Sequence, residues 1–349
     1  GNPSSGYTIG MHNKKVVEKA REQVASLIGA KADEIIFTSG GTESNNYAIQ
    51  GAAFSGAGKG KHIITSQIEH PSVVNVCKFL EEQGYKITNL PVDRTGRIDS
   101  EEVEKAIRPD TVLITIMHAN NEVGTVQPIK EIGLIAKKNN IIFHTDAAQS
   151  AGKLAINVDE FGLDLLSVAG HKIYAPKGIG ALYIREGVSL KNLLFGAGQE
   201  RGLRPGTENV PYIVALGKAC ELAKENHESE YRHMHMMRQK LLEGLSRKLN
   251  DAITINSDLQ NCLPNTLSIA FKSIEAHSLT SLLDGKVNIS AGSACHSSSV
   301  EISPVLRAIN IEESVAAGTV RISTGRYTTQ KEIDFAVNAI TNAVNTLII

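Results

Sequence analysis

No stretch of the chain is long and apolar enough to read as a membrane span, and no basic-then-apolar leader opens it. Neither charge is in excess: 36 Lys and Arg stand against 37 Asp and Glu, for a formal net charge of −1. That balance leaves no electrostatic footprint for nucleic acid or an anionic membrane, so partners must be recognised at a site. Cysteine is sparse and scattered. Cys77, Cys220, Cys262 and Cys295 form no CxxC pair, which argues against a disulfide framework or structural zinc and points to a reducing compartment, the cytoplasm. Repeats and low-complexity tracts are absent too. What the chain does have is core: 42% of its 349 residues are hydrophobic, enough for more than one domain.

Helical and strand patterns alternate through the first two thirds. "NKKVVEKAREQVASLIGA" carries apolar residues at helical spacing and stops at Gly29, and "EIIFTSGG" is a short apolar run closed by glycines. The strands "KHIITSQIEH", "KITNLPV", "TVLITIMHANN", "IIFHTDAAQ", "LDLLSVAGHK" and "GIGALYI" follow, with helices through "VVNVCKFLEEQGY", "SEEVEKAI" and "IKEIGLIAKKNN". Such alternation with uniformly apolar strands predicts an α/β domain with a mostly parallel sheet covered on both faces. From Tyr231 the texture changes to a long amphipathic helix, short strands and a closing helix. The expected division is a large α/β domain over 1–230 and a smaller α+β domain over 231–349.

Ligands of open parallel sheets collect at the carboxyl ends of strands. Here those ends read "TSGGTES", "IEH", "HANNE", "HTDAAQ" and "GHK". In "SGGTESNN", Gly40, Gly41 and Thr42 open a helix whose free N–H groups would cup an anion; capping by Thr42 or Ser39 is the alternative. "GAGKGK" at 56–61 lacks phosphate-loop spacing and reads as a loop. Asp146 follows a buried strand, where a carboxylate needs a partner; a protonated heteroaromatic nitrogen would serve, and capping the next segment is the alternative. Lys172 stands between two core strands, where an amine needs a reason. An acid, an amine and an anion cup at three strand ends match the needs of pyridoxal 5'-phosphate: a Schiff-base lysine, an aspartate for the pyridinium nitrogen and a glycine-rich phosphate site.

Taken in order, "FTSGGTESNN", "IEHPSV", "ANNEVGTVQP", "HTDAAQSAGK", "GHKIYAPKGIGALY", "GQERGLRPGTENVP", "SAGSACHS" and "VRISTGRYTT" resemble the cysteine desulfurase/selenocysteine lyase family over the whole chain. The resemblance implies a fold-type I, aspartate aminotransferase-like PLP-dependent transferase of the class-V aminotransferase group. It implies Lys172 as the Schiff-base lysine, Asp146 on the pyridine nitrogen, and His70 stacked on the ring and relaying protons. Gln149 would meet the phenolic oxygen, and Asn121 that oxygen or the substrate carboxylate. Gly41, Thr42 and His171 would hold the phosphate, with Thr207 reaching in from the second subunit of a homodimer. Arg321 would clamp the substrate carboxylate and Cys295 would be the nucleophile. The implied reaction turns L-cysteine or L-selenocysteine into L-alanine. Sulfur or selenium is left on Cys295 for an acceptor protein, as in iron–sulfur cluster assembly. A further stretch is expected before "GNPSS", where a targeting signal could lie.

One departure bears on substrate. Desulfurases of the family often carry serine two residues before the active-site histidine; here Ala169 stands there, and selenocysteine lyases tend to be apolar at that place. The spacing from Cys295 to "SPVLRAI" fits the desulfurase loop. Cysteine desulfurase is the broader expectation, and a dedicated selenocysteine lyase is the alternative. An aminotransferase on the same scaffold would not need Cys295, and a cofactor-less scaffold protein would need no Lys172. Cys77, Cys220 and Cys262 read as small core residues. "HMHMM" suggests no metal site, since His233 and His235 face different sides of a helix. Arg185, Arg201 and Arg204 read as surface or interface charges.

Overall fold

The computed structural model describes the backbone of residues 1–56, 58–296 and 299–348, and their side chains other than those of 293–296 and 299–301. The chain divides into two compact units. The first comprises Gly1–Leu90, Ile98–His118 and Gln127–His227; the second comprises Pro91–Arg97, Ala119–Val126 and Glu228–Ile349.

In the first unit, α1 (Thr8–Ile28) leads into β1 (Ile35–Thr38), α2 (Gly41–Ser55), β2 (His62–Ser66), α3 (Pro71–Glu82) and β3 (Lys86–Leu90). Then come α4 (Ser100–Ala106), β4 (Thr111–Thr115), α5 (Ile129–Lys138), β5 (Ile142–Asp146), β6 (Leu165–Ala169), β7 (Gly180–Ile184) and α6 (Val210–Glu225). The strands form one sheet in the order β1-β7-β6-β5-β4-β2-β3. The pairs from β3 across to β6 are parallel, and β7 runs antiparallel to both β1 and β6. Every strand but β7 therefore ends at the same edge, the edge where the polar strand-end motifs lie. Central strands β2, β4 and β6 are buried at every position, as covered parallel strands require.

The reversed strand has its own role at that edge. Gly180 opens β7 opposite both Thr38 and Ala169, the last residues of β1 and β6. A Cβ there would sit 2.6 Å from the Val168 carbonyl oxygen and 2.7 Å from the Gly40 Cα. Only glycine lets the glycine-rich and lysine-bearing segments come this close.

The second unit is built from α7 (His227–Leu249), β8 (Ile253–Ile255), β9 (Thr266–Phe271), α8 (Ala276–Leu283), β10 (Ser290–Ala291), β11 (Ser293–His296), β12 (Ser299–Ile302), α9 (Pro304–Ala308), α10 (Glu313–Ala317), β13 (Thr319–Ser323) and α11 (Gln330–Ile348). Its sheet runs β10-β13-β9-β8, with β11 and β12 forming a separate hairpin. Leu245 of α7, Leu267 and Phe271 of β9, and Ile340 and Val344 of α11 share its core.

A buried ion pair anchors the first unit. Arg21 of α1 donates from Nη1 to Glu200 Oε2 at 2.7 Å and from Nη2 to Oε1 at 2.8 Å, and Glu200 also accepts the Phe37 N–H at 2.8 Å. Glu200 and Arg201 both hold left-handed backbone, with φ of 45° and 58°, which non-glycine residues adopt only when their surroundings enforce it. Glu200→Ala is expected to destabilise the chain by about 3 kcal/mol in urea unfolding, because it removes the bidentate partner of a buried guanidinium and leaves it only half-exposed Glu18 and the Ile35 carbonyl. Replacing both partners by methionine is expected to cost clearly less.

Candidate active site

At the end of β1, Gly40 takes φ 152° and ψ −179°, a conformation reserved for glycine. It is the N-cap of α2, and no side chain caps that helix. Neither Thr42 nor Ser39 takes the capping role, so the first N–H groups of α2 are left for an outside acceptor. Glu43 turns away from them, accepting the Ser39 N–H at 2.7 Å and pairing with Arg204 at 2.9 Å. The start of α2 lies against the end of β6: a Cβ on Gly41 would be 3.2 Å from that of Ala169.

Asp146 ends β5 with 5% of its surface exposed. Its Oδ1 accepts the Ala148 N–H at 2.8 Å and its Oδ2 accepts from Asn45 Nδ2 at 2.7 Å. Burial pushes its pKa up, opposed by these bonds and by the charges of His70 and Lys172. Asn45 must present nitrogen to this carboxylate, since its oxygen would be repelled. The same Nδ2 donates to Ser72 Oγ at 2.8 Å, which leaves the Ser72 hydroxyl proton for His70 Nδ1, 2.7 Å away.

His70 is the N-cap of α3, and its Nδ1 also accepts the Ser72 N–H at 3.1 Å. An acceptor Nδ1 fixes the neutral ring as the Nε2–H tautomer. Asp146, Asn45, Ser72 and His70 thus form one continuous chain of hydrogen bonds. The His70 ring is exposed at the strand edge.

Lys172 lies in the single 3-10 turn Gly170–Ile173 that follows β6, half-buried, beside exposed His171. Burial and then the charges of Lys172, Lys177 and Lys153 lower the pKa of His171, so this corner is cationic. Gln149 stands in the turn after β5, half-buried, and Thr207 is exposed. Beneath the edge, the backbone N–H of His118 donates to the Asp146 carbonyl at 2.9 Å and its ring meets Phe161 edge-on; burial lowers the ring's pKa to about 4, so it stays neutral.

In the second unit, Arg321 of β13 donates from Nη1 to the Asn121 carbonyl at 2.7 Å and from Nη2 to Ser290 Oγ at 3.0 Å. Its Nε is buried without a partner, and among the described residues no carboxylate pairs with it. The guanidinium is therefore positioned by neutral groups and kept available for an anion. Cys295 lies on the β11–β12 hairpin opposite Val300; its side chain is outside the described residues. The remaining cysteines are buried, and burial pushes Cys77 and Cys220 up to about 12, where a thiol is inert.

The family model for aminotransferase class-V matches residues 1–335. Cysteine desulfurase IscS of Dictyoglomus turgidum is 47% identical over 348 residues, 99% of this chain and 88% of that protein. The chain belongs to the cysteine desulfurase family. Among solved structures, a NifS-like protein superposes with a TM-score of 0.93 at 38% identity, over 99% of this chain and 92% of that one. SspA in complex with cysteine matches with a TM-score of 0.82 at 42% identity, over 94% of this chain and 92% of that one.

The cofactor of the family is pyridoxal 5'-phosphate, and the first unit fits it. A buried carboxylate that accepts from the neutral Ala148 N–H and Asn45 amide suits a protonated ring nitrogen. An uncapped, glycine-opened helix start beside a cationic corner suits a phosphate. Four residues of this region went unassigned in the sequence: Asn45, Ser72, Glu69 and Lys153. All lie inside the quoted motifs, but only tertiary contacts give them a purpose. Glu69, next to His70, is 6% exposed and accepts from Ser66 Oγ at 2.5 Å and Met117 N at 3.0 Å. Burial, with Asp146 nearby, pushes its pKa up to about 8 from 4.5.

The folded chain thus keeps a proton on Glu69 that the unfolded chain releases, so stability falls as pH rises from 4.5 toward 8. That loss amounts to about 4 kcal/mol from this one group. Glu69→Gln, which mimics the protonated acid, is expected to flatten the fall. Urea melts of both proteins at pH 5 and pH 8 measure it.

Proposed function

We propose that the chain is a pyridoxal-phosphate-dependent cysteine desulfurase that takes sulfur from L-cysteine onto Cys295 and releases L-alanine. The observation that carries this reading is the single sheet edge on which the uncapped start of α2, the buried Asp146 and Lys172 stand together, in a chain 47% identical to a protein named cysteine desulfurase.

Gly41, Thr42 and His171 would hold the cofactor phosphate, Asp146 its ring nitrogen, Gln149 and Asn121 its phenolic oxygen, and His70 one face of its ring. Thr207, exposed in this chain, would reach the phosphate held by a second copy, so that a homodimer shares its sites. Bound there, the cofactor supplies an electron sink for the carbon that loses its proton. Lys172 Nζ accepts that proton, since it stands where the substrate amine is bound. His70 offers its Nε2–H, not a basic nitrogen, because Nδ1 is committed to Ser72. Arg321 takes the substrate carboxylate through its planar fork. The Cys295 thiolate attacks the substrate sulfur: an S–S bond forms, the C–S bond breaks, and its electron pair passes to carbon, which is protonated to give alanine. Cys295 is left as a persulfide for a sulfur acceptor protein.

Ala169 favours a second substrate, L-selenocysteine. It packs on α2 with an apolar methyl where a serine hydroxyl would add a phosphate contact. Alanine release from the two amino acids in parallel decides between them. Cys295→Ala is expected to lose cysteine turnover at least a hundredfold while keeping the yellow lysine-bound cofactor; Lys172→Ala is expected to lose both. Undiminished turnover in Cys295→Ala would remove the desulfurase reading.

A further inference from the structure

Cys295 stands on a hairpin whose two ends are tied together within the second unit. The Ser303 N–H donates to the Gly292 carbonyl at 3.1 Å, and the Gly292 N–H donates to the Thr319 carbonyl of β13 at 2.8 Å. The approach is close: a Cβ on Gly292 would lie 2.9 Å from Leu306 and 3.2 Å from Thr319. Ser303 also caps α9, its Oγ accepting the Val305 N–H at 3.1 Å. The hydroxyl proton goes elsewhere, to Glu122 Oε2 at 2.5 Å, a length typical of a hydroxyl on an ionised carboxylate.

Glu122 directly follows Asn121, whose carbonyl holds Arg321. Arg321 in turn bonds the Ser290 hydroxyl, on the incoming side of the hairpin, and faces Ser290 across β10 and β13. The contacts close a ring that runs from Arg321 through Asn121, Glu122, Ser303, Gly292 and Ser290 back to Arg321. One pair of side chains, Glu122 and Ser303, joins the outgoing end of the hairpin to the Asn121 turn, across 181 residues of sequence. Burial raises the pKa of Glu122, and the Ser303 bond and the Arg321 charge oppose that rise.

We propose that Glu122 is a positioning residue for Cys295: through Ser303 it fixes the outgoing base of the hairpin to the turn that carries Arg321. The nucleophile and the group that takes the substrate carboxylate are thereby set in one frame. Attack of one atom on another depends steeply on such placement. The inference rests on the reading of Cys295 as nucleophile and Arg321 as carboxylate site, and it adds the residue that sets one against the other.

Two measurements test it. One is single-turnover persulfide formation on Cys295 from L-cysteine in the protein loaded with pyridoxal phosphate, read by mass spectrometry of quenched samples. The other is hydrogen exchange of residues 290–303 in cofactor-free protein. Glu122→Ala is expected to slow persulfide formation roughly tenfold and to speed exchange, while L-cysteine affinity, read from the cofactor's absorbance, stays within about threefold. Glu122→Gln, whose amide oxygen still accepts from Ser303, is expected to restore both. An unchanged rate or unchanged exchange in folded Glu122→Ala overturns the proposal. So does a loss of affinity as large as the loss of rate, which would put the effect on Arg321 alone. If Glu122→Ala does not fold, Ser303→Ala is read against the same outcomes. A parent protein that forms no persulfide on Cys295 overturns the functional reading instead, and exchange still decides whether Glu122 anchors the hairpin.

Discussion

The first unit is organised around one unfavourable act, the burial of the Asp146 carboxylate. Placing an anion at the end of a central strand is costly unless it is hydrogen-bonded or paired. Among the described donors, neutral groups satisfy it, the Ala148 N–H and the Asn45 amide. Such a carboxylate suits a positively charged ligand group. The same Asn45 amide carries the constraint onward through Ser72 to His70. The ring that faces outward is thereby held in one tautomer by the acid that faces inward.

Sheet topology turns this local arrangement into a site. With every strand but β7 running the same way, the ends of β1, β2, β5 and β6 deliver an anion cup, an imidazole, a carboxylate and an amine to one edge. The reversed β7 brings Gly180 between two of those ends, where a side chain would hold them apart. The electrostatics at this edge are balanced by burial. Asp146 and Glu69 are raised, and His118, His171 and Lys153 are lowered. Each shift is led by burial, which disfavours the charged form.

Much of this was legible in the sequence, because strand ends are local. Apolar runs closed by "SGG", "EH", "HTD" and "GHK" mark the edge, and α1 ends at Ile28 with Gly29 as its cap, where the pattern stops. Asp146 shows what a local reading can and cannot reach. One oxygen caps the following turn, as a plain strand-end aspartate would, and the other is turned to Asn45. What stayed hidden depends on contacts between distant segments. Asn45 lies 101 residues from Asp146, Arg21 lies 179 from Glu200, and Arg321 lies 200 from Asn121. No periodicity encodes such pairs. The assignment of 91–97 and 119–126 to the second unit was hidden for the same reason, since composition does not change there.

The central claim is that Asp146 holds its charge for a protonated ring nitrogen. It is tested most directly by nitrogen-15 NMR of the protein loaded with pyridoxal phosphate labelled at the ring nitrogen. At neutral pH the account predicts a protonated nitrogen in the parent protein and an unprotonated one in Asp146→Asn. An unprotonated nitrogen in the parent, or a protonated one that survives the substitution, would contradict it.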